Sequence, residues 1–170
     1  MRKIYVMAVL AVMMILSSSG CNTQQMPPEK PQDFAFILKY GIGAHNELNT
    51  IEGTFTKDLI LAGTTTIPLE LSNDELNKIY NEMCKINITL YPEEYKPDND
   101  SVVQRWVTPC ETYELWITYN GKQQQIVWID SSLSEKTEAK NLRNLINLIT
   151  STIESKEEVK KLPDPKGGYL

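Results

Sequence analysis

The sequence predicts an α+β fold: an antiparallel β-sheet built from hairpins, with two amphipathic helices packed on one face. Three observations predict it. Several short runs alternate apolar and polar residues at period two, between turn residues. Two longer segments repeat apolar residues at three and four. These patterns follow one another as strands, helix, strands, helix.

FAFILKY (residues 34–40) sets Phe34, Phe36, Leu38 and Tyr40 against Ala35, Ile37 and Lys39, which is a strand with one apolar face. GIGAHNE interrupts it. LNTIEGTFTKDLI reads as a hairpin turning near Glu52-Gly53. TIPLEL (residues 66–71) alternates again. Pro68 cannot donate to a ladder, so this strand belongs at a sheet edge or a strand start. Ser72-Asn73-Asp74-Glu75 is a capping box, in which the Ser72 hydroxyl accepts from the Glu75 amide while Glu75 reaches back. Leu71 and Leu76 occupy the staple positions beside it. Leu76, Ile79, Tyr80, Met83 and Cys84 form the helix stripe, which turns Cys84 toward the core.

Residues 86–101 hold Pro92, Pro97, an acidic pair and PDND, and read as loop with a short strand at INITLY. VVQRWVT (residues 102–108) and TYELWITY (residues 112–119) read as strands. Asn120-Gly121 supplies a type I′ hairpin turn. Counting from that turn pairs Leu115 with Ile126 and Tyr113 with Trp128, and sends Trp116 to the other face near Val127. The return strand QQIVWID is apolar on both faces, which places it centrally. The last helix opens near Ser132 or Ser134 and buries Leu142, Leu145, Ile146, Ile149, Thr152 and Ile153. Ser155-Lys156-Glu157-Glu158 repeats the capping-box pattern before a short final turn, which Pro163 and Pro165 stop.

The N-terminus has a different character. Arg2 and Lys3 precede 13 apolar residues and then SSSG, the layout of a signal peptide over residues 1–20. Crossing a bilayer takes about 20 apolar residues, more than this run supplies. Ser18-Ser19-Gly20-Cys21 resembles the lipobox of bacterial lipoproteins, with Ser19 and Gly20 in its small positions and Ser18 where leucine is usual. The resemblance implies that the Cys21 thiol carries a diacylglyceryl anchor and that the leader is cut before it. Two acyl chains burying about a dozen methylenes each, at roughly 0.8 kcal/mol per methylene, hold with about 20 kcal/mol. The implied address is the outer, extracytoplasmic face of the cell membrane.

KYGIGAHNELNT, TFTKDL, LSNDELNKIY and ESKEEVKKLPDPKGGYL together resemble small lipoproteins of Bacillus-type bacteria, a likeness that brings no reaction with it. Residues 21–33, with three prolines and three glutamines after the cysteine, are expected as a flexible tether. Fully extended it would reach about 30–40 Å at roughly 3.1 Å per residue. A single domain is expected over residues 34–163 and a loose tail over residues 164–170.

Cleavage removes Arg2 and Lys3, leaving 15 basic against 22 acidic groups, a net charge of −7. That balance lacks the basic footprint of a nucleic-acid binder. Cys84 and Cys110 form an even pair in an exported chain, which permits one disulfide or two buried free thiols. The sequence contains no C-x-x-C motif and no metal-type cluster, so no cofactor and no metal are expected.

His45, the only histidine, sits in a polar loop without a nucleophile motif and reads as a solvent-facing side chain. Gly41-Ile42-Gly43 lacks the third glycine and following helix of a dinucleotide fingerprint. DNDS at residues 98–101 lacks the turn glycine of a calcium loop. Glu93-Glu94 and Glu157-Glu158 are adjacent acids with nothing to set them across a cleft. Trp106, Trp116 and Tyr119 are the candidate binding surface, because aromatic rings off the core face offer large contact area at low entropy cost. The expected role is a binding module for an envelope or protein partner. The alternatives are an envelope-acting hydrolase and an immunity or inhibitor lipoprotein.

Overall fold

The alternating runs assemble into one six-stranded antiparallel sheet in a computed structural model of the protein, of which residues 25–97, 108–132 and 134–169 are described. The strands are β1 (Ala35–Tyr40), β2 (Asn46–Asn49), β3 (Thr54–Asp58), β4 (Thr64–Pro68), β5 (Thr112–Tyr119) and β6 (Lys122–Ile129). Their spatial order is β4-β3-β2-β1-β5-β6. The helices are α1 (Asn73–Lys85), α2 (Thr137–Glu154) and the short α3 (Glu157–Lys160). Strands that pair are consecutive in the chain except β1 and β5, where Leu38 meets Leu115 and the two groups of strands join.

The register sorts the side chains. Phe36, Leu38, Leu48, Phe55, Leu115, Ile117, Ile126 and Trp128 lie on one face and enter a single core cluster. Ile79, Tyr80 and Met83 of α1 and Leu142, Leu145, Ile146, Ile149 and Ile153 of α2 enter the same cluster, so both helices cover that face. Each such Leu or Ile contributes roughly 1.5–3 kcal/mol on burial. The hairpin pairs counted from the turn are formed, Leu115 with Ile126 and Tyr113 with Trp128. Asn120 and Gly121 take φ values of 48° and 68°, the left-handed pair that a type I′ turn requires. The Ser72–Glu75 capping box is closed in both directions.

Several expectations need correction. β6 is a terminal strand, not a central one. Its outer edge is covered by the chain itself: the Tyr95 amide donates to the Val127 carbonyl at 2.8 Å, and the Val127 amide to the Glu93 carbonyl at 2.6 Å. That cover gives β6 backbone partners on both edges, as a central strand has. INITLY forms a 3-10 turn at Ile88–Leu90 instead of a strand, entered through Asn87 at φ 51°, which asparagine tolerates. β4 begins at Thr64, and it is the opposite edge, one of the two places that Pro68 allows. Helix α2 opens at Thr137, because the chain before it is held elsewhere: the Ser134 carbonyl accepts from Arg143 Nη1 at 2.6 Å. Ser155 has helical backbone angles, so it cannot cap, and its hydroxyl donates to the Thr152 carbonyl. Residues 102–107, including Trp106, lie outside the described residues, as does Cys21.

Both ends of the domain are fastened where looseness was expected. Met26, within the expected tether, is 9% exposed in the core cluster. The Pro27 carbonyl accepts from the Tyr80 hydroxyl at 2.6 Å. At the other end, the Lys166 amide donates to the Leu59 carbonyl and its carbonyl accepts from the Leu61 amide, both at 3.2 Å. Gly167 permits the approach, since a Cβ there would stand 2.8 Å from the Leu61 side chain. Among the described residues, no helix is long and apolar enough to cross a membrane.

Candidate functional site

The face of the sheet turned away from the core cluster is built by the complementary set of alternating residues. β1 supplies Ile37 and Lys39, β2 supplies Glu47, β5 supplies Glu114, Trp116 and Thr118, and β6 supplies Gln123 and Gln125. Two cross-strand rows result. Ile37, Trp116 and Gln125 lie side by side, and Glu47, Lys39 and Glu114 form the next row.

Trp116 is where it is because period two sends every second residue of β5 outward while Leu115 and Ile117 go in. Its indole lies in a groove of about 580 Å³, with Ile37 and Ile51 as apolar walls and Thr118, Gln123 and Gln125 as hydrogen-bonding groups. Lys39 Nζ stands 3.6 Å from Glu47 Oε2 and 5.5 Å from the Trp116 ring centroid. The ammonium thus sits between a carboxylate and the negative face of an indole, both of which attract it. The groove thus combines one large flat apolar group, neutral amides and hydroxyls, and the Lys39–Glu47 ion pair.

Of the three residues expected to form a binding surface, Trp116 lies on this face, and Trp106 lies outside the described residues. Tyr119 is 7% exposed and packs in the core, because it shares the parity of Leu115 and Ile117; it is not a surface residue. Cys84 and Cys110 are both free thiols, so the disulfide alternative is not formed. Cys84 Sγ donates to the Pro27 carbonyl at 3.7 Å, and burial pushes its thiol up, away from nucleophile character. Glu93 lines the groove, while Glu94 pairs with Lys96 at 2.6 Å. Glu157 pairs with Lys160 at 2.7 Å. Among the described residues, no three His, Cys, Asp or Glu side chains gather as a metal site.

A second polar cluster was not legible in the sequence. The Tyr169 hydroxyl donates to Asp58 Oδ2, and His45 Nδ1 lies 2.7 Å from the same hydroxyl. A tyrosine has one hydroxyl hydrogen, and Asp58 takes it. His45 in its neutral form therefore carries its hydrogen on Nδ1, leaving the lone pair on Nε2. The Asp58 hydrogen bond also holds the Tyr169 hydroxyl above its ordinary pKa. The three residues come from the β1–β2 turn, the end of β3 and the C-terminal tail, and no local pattern ties positions so far apart.

A third ionic group is structural. Asp130 is buried and accepts from Arg143 Nε at 2.6 Å and Nη2 at 2.7 Å, and the guanidinium lies 5.0 Å from the Trp128 ring centroid. It fastens α2 to the end of β6. The chain matches no protein-family model, no curated protein and no solved structure.

Proposed function

We propose that this protein is a binding module held on the extracytoplasmic face of a bacterial cell membrane by acyl chains on Cys21, and that it meets an envelope or protein partner through the groove around Trp116. The leader, the small residues before Cys21 and the absence of a longer apolar run in the sequence support the anchor. The observation that carries the binding role is Trp116, a large aromatic on the face away from the core, beside Lys39 and neutral amides. Side chains of this kind dominate the energetics of recognition surfaces.

The test is proximity labelling on intact cells by the full chain carrying a fused labelling enzyme. Trp116→Ala removes the ring without entering the core, so the fold is retained while the set of labelled partners falls several-fold. A labelling profile equal to that of the unaltered protein would overturn the assignment of this face.

A further inference from the structure

The sheet has two unlike ends. Ala35 lies opposite Thr118, so the start of β1 and the Asn120-Gly121 turn share one pole. Tyr40 lies opposite Asn46 and Asp58 opposite Thr64, so the turns that follow β1 and β3 share the other pole. β6 is eight residues long, which separates the poles by about 26 Å at roughly 3.3 Å per residue.

The N-terminal segment is pinned at the first pole. Met26 is buried, and the Pro27 carbonyl accepts from Tyr80 and Cys84. The Asp33 carboxylate accepts from the Asn120 amide at 2.8 Å and the Gly121 amide at 2.6 Å. Only four residues' travel separates Cys21 from Gln25. Whatever shape they take, covalent geometry limits that travel to about 14 Å at no more than 3.6 Å per residue. A pocket of about 330 Å³ opens at the same pole between Met26, Pro27, Tyr119 and Asn120, with Lys122 at its rim. An apolar floor beside an ammonium suits the boundary between lipid headgroups and acyl chains.

We infer that the Asn120-Gly121 pole rests on the headgroup layer of the membrane that holds the anchor, with the pole carrying His45, Asp58 and Tyr169 pointing away from it. This placement rests on the lipidation of Cys21 proposed above. It adds that the domain lies against the bilayer in one orientation, not on a long stalk. Trp116, four residues from Asn120, then stands about 13 Å above the pole, within reach of material at the membrane surface.

The test is photocrosslinking in the full-length protein in its own membrane. Benzoylphenylalanine replaces Lys122 in one variant and Leu61, which is 81% exposed at the far pole, in another. The expected result is a lipid adduct at position 122 several-fold above that at position 61. A flexible insertion of about twelve residues after Thr23 should lower the adduct at 122, since it lengthens the reach of the chain. Equal adducts, or more at 61, would overturn the orientation. The mass of Cys21-containing peptides from the same sample separates the two ideas. A chain without added lipid removes the anchor and the orientation together, whereas a lipidated chain without the adduct at 122 removes the orientation alone.

Discussion

Asp33 shows how much one carboxylate settles. Two backbone amides of the β5–β6 turn point at it, Gly121 foremost and Asn120 next, and they hold its carboxyl below the ordinary aspartate range. A lowered folded-state value means that the interaction is complete above the unfolded value of about 3.9 and is lost as pH falls through the folded one. The Gly121 amide resonance should therefore follow a titration with its midpoint below about 3.9, and Asp33→Asn should flatten it. A midpoint at or above that value would remove the clamp. Asp33 reads in the sequence as one polar residue among many, since its partners lie more than eighty positions away. His45 was hidden for the same reason. Trp116, by contrast, was legible, because its outward direction follows from parity within one strand and a turn that fixes the count.

Where several local signals coincide, the element was readable. Ser72 and Glu75 both sit at the start of α1, and the box they form is complete. Glu75 Oε2 also receives Lys156 Nζ at 2.7 Å, so the cap joins α1 to the turn before α3. Ser72→Ala should cost about 1 kcal/mol. In a domain of this size that lowers Tm by roughly 2–4 °C, and an unchanged melting curve would show the cap to be idle. The Ser155 motif failed although its letters match, because α2 continues through Ser155 with helical backbone angles. The packed stripe of α2, ending in Ile149 and Ile153, prevails over a capping preference of comparable type but smaller size. β6 misled through a non-local cause: residues 93–95 shield its edge, which no pattern within β6 announces.

At the scale of the molecule, the fold class followed from the order of the patterns, and the six-stranded antiparallel sheet with helices packed against it agrees. The two arms did not follow. Composition marks residues 21–33 and 164–170 as unable to make a core of their own, yet Met26 of the first enters the core cluster and Tyr169 of the second donates to Asp58. If Cys21 carries the anchor, Cys21→Ala should move the protein from the membrane to the soluble extracytoplasmic fraction. A processed Cys21→Ala chain that stays with the membrane would dispense with lipidation. β1 begins directly after the pinned arm and lies between β5, with five paired residues, and β2, with four. Tension on the arm therefore pulls β1 lengthwise between two neighbours. Such a load strains both ladders in shear, all rungs together, instead of peeling them open one at a time.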